Sequence, residues 1–346
     1  MLTGHGDDIY RYGNIRINFS SNIFSHADLS ALKKHLCQHI DSIDNYPEPE
    51  PLTVEKMIAD RRQVSKENVM VTNGATEAIY IIAQTYAKQE TEQGRTPACF
   101  ILNPTFSEYG DACSMYGFRR INRYELTTER ALVWLCNPNN PTGEMVSDEF
   151  IQVLQNRNLT FVIDQSYEDY TQQAVIQPAK ALQQGNIIII NSLTKTYSIP
   201  GLRIGYVIAP SRITSIMRAS RYPWSVNAIA IEAARFLIAN DIKVIPDLNE
   251  YLKETQRLRN NLNLISGIDV RETMTNFMLA HIDCASSAEL KDYLIKEHGI
   301  LIRDASNFEG LDNHYFRVAT QLPSENDELV AAIREFSDAM NKNEKR

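Results

Sequence analysis

The sequence predicts an α/β protein: a mixed, mostly parallel sheet sandwiched by helices, with a smaller α+β domain at the C-terminus. Three observations carry that expectation. Short apolar runs alternate with helical stretches between about 68 and 210. A long amphipathic segment follows at 247–265, and almost every apolar run ends in polar residues of unusual composition.

The runs are 69–72, 99–102, 132–136, 161–163, 187–190 and 204–208. They are apolar throughout rather than alternating, as strands covered on both faces require. Residues 1–45 read as an arm and a helix. Residues 45–51 (Asn-Tyr-Pro-Glu-Pro-Glu-Pro) forbid regular structure, because each proline fixes φ and removes a donor. A large domain is therefore expected over 46–246. Beyond it, Leu248, Tyr251, Leu252, Leu258 and Leu262 recur at helical spacing, a helix leading into a small domain over 247–346. Apolar runs at 277–281, 300–303 and 315–318 and a C-terminal helix complete that domain, and 341–346 read as a disordered tail.

With 346 residues and 43% hydrophobic content the chain can bury a large core. A net charge of −8 with both signs interspersed excludes an electrostatic footprint for nucleic acid. Cys37, Cys99, Cys113, Cys136 and Cys284 form no CxxC, which fits reduced thiols in a cytoplasm. The polar opening Gly4-His5-Gly6-Asp7-Asp8 lacks the apolar core of a signal peptide. No run reaches the length of a membrane span. The expectation is a soluble, cytoplasmic, oligomeric protein with no membrane partner.

In an open α/β sheet, ligands bind beyond the carboxyl ends of the strands. Five such endings carry polar chemistry here: Asn73-Gly74-Ala75-Thr76, Asn103-Pro104-Thr105-Phe106, residues 137–143, 164–167 and 192–195. Lys195 follows the apolar run 187–190, is flanked by Ser192, Thr194 and Thr196, and precedes Arg203, which opens another apolar run. A lysine so placed suits imine chemistry beside a phosphate. Gly74-Ala75-Thr76, between a strand and a helix over 77–88, would leave amides free for an anion, or be an ordinary tight turn. Ser192, Thr194 and Arg203 could add donors to the same anion.

Asp164 ends an apolar strand, where a carboxylate is costly unless paired. A protonated pyridine nitrogen would satisfy it and make the ring an electron sink; a helix N-cap is the alternative. Tyr167 and Asn140 can hydrogen-bond a phenolic ring oxygen, and Phe106 can stack on a ring or simply fill the core. Asn137-Pro138-Asn139-Asn140-Pro141-Thr142-Gly143 is an irregular loop whose three asparagines are hard to explain as core. Arg303 and Arg317 are cations inside apolar runs, suited either to a doubly anionic ligand or to salt bridges within the small domain.

These strings in this order (Asn-Pro-Asn-Asn-Pro-Thr-Gly, Asp164-x-x-Tyr167, Ser192-x-Thr194-Lys195 and Arg203) resemble the fold-type-I aminotransferase superfamily of pyridoxal-phosphate-dependent transferases over nearly the whole chain. The resemblance implies a homodimer with active sites shared between subunits and pyridoxal 5'-phosphate on Lys195. It implies Asp164 at the pyridine nitrogen, with Asn140 and Tyr167 at the phenolic oxygen. Gly74, Ala75, Thr76, Ser192, Thr194 and Arg203 would bind the phosphate with Tyr46 of the neighbouring subunit, and Arg317 the substrate carboxylate.

Tyr46-Pro47-x-Pro49-Glu50 is similar to the histidinol-phosphate aminotransferase branch. His5-Gly6-Asp7, Pro223-Trp224-Ser225-Val226-Asn227 and residues 302–311 are similar to its relatives, the threonine-phosphate decarboxylases of cobalamin biosynthesis. The implied reaction is decarboxylation of L-threonine O-3-phosphate to (R)-1-amino-2-propanol O-2-phosphate; the alternative is transamination of histidinol phosphate with 2-oxoglutarate. His5 and Arg303, with Ser225 and Asn227, are candidates for the substrate phosphate. Two departures stand out. Gln165-Ser166 replaces the usual Glu-Ala, a change beside the ring that should not abolish binding, and Asn22 is followed by Ile23-Phe24-Ser25 rather than an Asn-Pro-Leu-Gly-type stretch. A cofactor-sensing transcription regulator is not expected, since 1–45 has no room for a winged helix. The same catalytic residues serve either reaction, so only the substrate's orientation separates them.

Overall fold

The computed structural model describes residues 7–146, 158–245 and 247–343. In chain order its first strands are β1 (Ile17–Asn18), β2 (Val69–Thr72), β3 (Ala98–Ile101), β4 (Arg119–Arg120), β5 (Ala131–Cys136), β6 (Leu159–Asp164), β7 (Ile187–Asn191) and β8 (Gly205–Ile208). Seven of them form the central sheet in the order β2-β8-β7-β6-β5-β3-β4. All neighbours run parallel except β8, which is antiparallel to both β2 and β7.

Strand alternation divides each apolar run between two cores. Val133, Leu135, Phe161, Ile163, Ile187 and Ile189 face one helical layer. Leu132, Trp134, Val162, Ile188 and Ile190 face the other. A sheet buried on both faces leaves only its edges for polar chemistry. Because β8 is reversed, its amino end lies at the same edge as the carboxyl ends of its neighbours. Arg203, which the sequence placed at the opening of that strand, lies just before it. The residue caps the Pro200–Leu202 turn in a left-handed conformation, φ 56°.

Other bounds shift for local reasons. The helix expected at 77–88 runs Gly74–Glu92 and begins directly at the strand end. The amphipathic helix is Leu248–Asn263, started by Asp247, whose carboxylate accepts the amides of Asn249 (2.9 Å) and Glu250 (3.2 Å). The tail read as disordered at 341 onward is instead helical as far as Asn343, within the helix Pro323–Asn343; residues 344–346 lie outside the described residues.

The second sheet comprises β9 (Ile268–Val270), β10 (Phe277–Ile282), β12 (Arg303–Asp304) and β13 (Tyr315–Ala319), in the antiparallel order β12-β13-β10-β9. Strand β11 (Ile300–Leu301) instead pairs in parallel with β1. Ile17 and Phe19 thereby join the core of Leu258, Met278, Val318 and Ile333. Leu32, in the helix Ser30–Gln38, packs in the central-sheet core. The chain between them, residues 20–29, crosses from one core to the other past the sheet edge. No helix among the described residues is long and apolar enough to cross a membrane.

Candidate active site

At the shared edge the strand ends surround a cleft of about 400 Å3. Of the residues expected to form a site, Ala75, Thr76, Phe106, Asn140, Asp164, Tyr167, Ser192, Thr194, Lys195, Arg203 and Arg317 line it.

Lys195 lies on the single turn Leu193–Thr196 that follows β7. Its Nζ donates to the carbonyl of Ser21 at 2.7 Å and lies 5.7 Å from the Tyr167 ring centroid. Burial, reinforced by the positive charge of Arg317, pulls its pKa down to about 7. The amine is therefore substantially neutral, and nucleophilic, near neutrality. Trapping of Lys195 by a small aldehyde and borohydride in cofactor-free protein should rise with pH and level off above about 7. An ordinary lysine keeps rising toward 10.5; a profile of that kind, read by peptide mass mapping, would refute the buried setting.

Asp164 closes one end. Burial raises its pKa, opposed by hydrogen bonds from Ser166 and Tyr109. Oδ1 accepts the Ser166 amide (2.9 Å) and hydroxyl (2.5 Å), while Oδ2 accepts the Tyr109 hydroxyl (2.8 Å). The N-cap alternative does not hold. The short helix Glu168–Tyr170 begins after Tyr167 with no side-chain cap. Phe106 meets Tyr109 edge-on at 5.7 Å, and Tyr109 stacks on Trp134 at 5.1 Å.

The other end is an anion cup. Ala75 and Thr76 are in the first turn of a long helix whose dipole favours negative charge. Ser192 and Thr194 line the same cleft. The Arg203 guanidinium lies over Gly74, where a Cβ would approach Nη2 to 2.7 Å. Gly74 therefore contributes by absence of a side chain and does not itself line the cleft. Gly205 is similar: a Cβ there would sit 2.8 Å from the Ala75 nitrogen, so only glycine lets β8 approach the helix start. Arg203 has one hydrogen bond among the described residues, from Nη1 to the Pro200 carbonyl (3.2 Å).

Above the cleft, Arg317 is almost wholly buried, and burial pulls its pKa down to about 9. Nη1 donates to Asn140 Oδ1 and Nη2 to the Ser20 carbonyl; Nε has no partner among the described residues. In the loop 137–143 the asparagines divide their work. Asn137 Oδ1 accepts the Val146 amide (2.9 Å), Asn139 bonds Thr105 and Thr142, and Asn140 alone lines the cleft. Burial raises the Tyr167 pKa; its hydroxyl receives Asn22 Nδ2 at 3.4 Å, and Asn22 Oδ1 is buried without a partner.

Several expected residues are elsewhere. Arg303 pairs in register with Arg317 but does not line the cleft. It donates to the Asp304 carbonyl (2.5 Å) and to Asn307, and its guanidinium is 5.3 Å from the Phe308 ring. Tyr46 is 86% exposed, its ring 5.3 Å from that of Trp224. Ser225 bonds Glu77 (3.2 Å), and Asn227 caps the helix Ala228–Ala239 through the Ala230 amide (2.8 Å). His5 lies outside the described residues.

Asp7, Ser20, Ser21, Tyr109 and Cys136 also line the cleft and were not expected there; Ser166, within the expected ending 164–167, lines it too. Asp7 Oδ1 accepts Asn18 Nδ2 at 2.6 Å. Tyr109 carries a faint signal, three residues after Phe106 at helical spacing. Ser20 and Ser21 carry none, because they act through backbone carbonyls.

The set can hold an elongated ligand with a cationic nitrogen at Asp164, an electrophilic carbon at Lys195 and an anion at Arg203. Arg317 remains for an acid group of a second ligand.

A family model described as "Aminotransferase class I and II" matches residues 14–333. The chain is 28% identical over 339 residues to the threonine-phosphate decarboxylase of Salmonella typhimurium, covering 92% of this chain and 90% of that one. It is 26% identical over 307 residues to a histidinol-phosphate aminotransferase of Thermoanaerobacter sp., covering 85% of each. The solved structure of L-threonine-O-3-phosphate decarboxylase from Porphyromonas gingivalis superposes with a TM-score of 0.84 at 36% identity, covering 93% of this chain and 99% of that one.

Proposed function

Because the chain belongs to the aminotransferase class I and II family, we propose that it is a pyridoxal 5'-phosphate-dependent decarboxylase of L-threonine O-3-phosphate. The observation that carries the substrate is the 36% identity, over 93% of the chain, to the Porphyromonas gingivalis decarboxylase.

The side chains fit the cofactor. Asp164 is a buried carboxylate held only by neutral donors, and Arg203 has no acid partner among the described residues. Lys195 would hold the cofactor's carbonyl carbon, Asp164 its ring nitrogen, and Asn140 and Tyr167 its phenolic oxygen. Ala75, Thr76, Ser192, Thr194 and Arg203 would hold its phosphate, with Gly74 permitting the close approach and Phe106 covering the ring. Bound pyridoxal phosphate supplies a conjugated, protonated ring that takes up the electron pair released at the substrate's Cα.

Arg317 binds the substrate carboxylate through its guanidinium, and its Nε is available for that bond. Lys195, once free of the cofactor, returns a proton to Cα from Nζ. Its lowered pKa suits both holding and releasing that proton at neutral pH. The Arg303–Arg317 pair brings two like charges together on adjacent strands, an arrangement that a substrate bearing two acid groups stabilises. Arg303, in register with Arg317, would reach the substrate phosphate only by turning its guanidinium away from the Asp304 carbonyl and Asn307.

We also propose a homodimer with shared sites, in which Tyr46 joins the partner's phosphate cup. Tyr46 (86% exposed), Tyr222 (82%) and Ile43 (62%) are apolar surfaces that a second copy would cover. The free thiols fit a reducing cytoplasm. The product, an aminopropanol phosphate, suits use in cobalamin assembly.

Incubation with L-threonine O-3-phosphate should release CO2 without consuming a 2-oxo acid. Glutamate chemistry with histidinol phosphate and 2-oxoglutarate, and no CO2 from threonine phosphate, would replace this reading with the aminotransferase.

A further inference from the structure

We propose that Tyr109 and Ser166 are positioning residues that keep the shared proton on the cofactor's ring nitrogen rather than on Asp164. The inference rests on the cofactor reading above, not on the substrate.

Among the described residues, Asp164 receives three hydrogen bonds, two from Ser166 and one from Tyr109, and every one of these donors is uncharged. Neutral donors stabilise a carboxylate without cancelling its charge, whereas an arginine in their place would consume it. The charge stays available for a cation in the cleft. The donors are also held. Tyr109 is wholly buried, stacked on Trp134 with an interplanar angle of 11° and met edge-on by Phe106. Burial raises its pKa well above the ordinary tyrosine value, so it stays protonated and donates. Ser166 is fixed by the turn after β6, where amide and hydroxyl both meet Oδ1.

One proton is shared between the ring nitrogen and Asp164. It rests either on nitrogen, leaving a carboxylate, or on a carboxyl oxygen, leaving a neutral ring; nothing else changes. Each hydroxyl bond favours the carboxylate and therefore the protonated ring, which is the better electron sink. The other titratable groups facing Asp164 are Lys195, Cys136 and Tyr167. Burial pushes the Cys136 thiol and the Tyr167 phenol up, so both remain neutral, and among the described residues Lys195 is the charged group that acts on Asp164.

The test compares wild type with Ser166→Ala, Tyr109→Phe and Ser166→Thr by two readouts. In cofactor-free protein, the 13C-labelled Asp164 carboxyl should titrate about one to two units higher in Ser166→Ala and in Tyr109→Phe. In protein loaded with 15N-labelled pyridoxal phosphate, the ring nitrogen signal should move toward the unprotonated position in both variants, and Ser166→Thr should restore it. Unchanged titration and unchanged nitrogen signal in folded, loaded variants overturn the proposal. Wild type that takes up no cofactor overturns the proposed function instead.

Discussion

Replacing Lys195 with alanine should abolish covalent attachment of the cofactor and lower kcat by at least about a thousand-fold. Two roles would end together, because in the proposed mechanism the same Nζ is the attachment point and the proton donor to Cα. Its surroundings make the loss hard to compensate. The Ser21 carbonyl is its hydrogen-bond acceptor, and burial with Arg317 nearby keeps its pKa about 7. A lysine elsewhere would remain charged. Borohydride reduction followed by mass mapping checks attachment, and a progress curve of CO2 release checks turnover. Retained attachment at another residue, with activity within tenfold of wild type, would dismiss Lys195 as the reactive amine.

Replacing Arg317 with methionine should raise KM by about thirty-fold or more while leaving Tm unchanged or higher. The first effect follows because losing one partner of a buried, charge-assisted bond typically costs about 2–5 kcal/mol. The second follows because Arg317 is a buried cation, its pKa pulled down to about 9, with only neutral acceptors in Asn140 and the Ser20 carbonyl. Burying such a charge opposes folding, so an apolar side chain of similar length removes a penalty. Saturation kinetics and a thermal melt separate the two effects. A large fall in Tm with unchanged KM would make Arg317 a structural residue of the small sheet.

The central sheet was legible because each buried strand is a run such as Ile187 to Ile190, interrupted by polar residues only where it leaves the core. The site was legible to the same extent, since Asp164 ends its strand and Asn140 and Lys195 each lie four residues beyond theirs. Arg303 shows the limit of that reasoning. Its position in an apolar run resembles that of Arg317, yet the chain after β12 folds back and turns its guanidinium toward the Asp304 carbonyl and Asn307. Ser166 shows another. A serine for the usual alanine reads as harmless, while in the fold its hydroxyl meets the carboxylate two residues earlier.

By itself the sequence determined which residues leave the sheet at its reactive edge, because apolar periodicity and turn residues act over a few positions of chain. Tertiary structure decided what meets them: Tyr109 on Asp164, the Ser21 carbonyl on Lys195, and Ser20 under Arg317. Those partners are separated by 55, 174 and 297 positions. The adjacent parallel strands β3, β5 and β6 bring Tyr109 to Asp164, and the N-terminal segment that joins both cores brings Ser20 and Ser21, and no local pattern records contacts of that span.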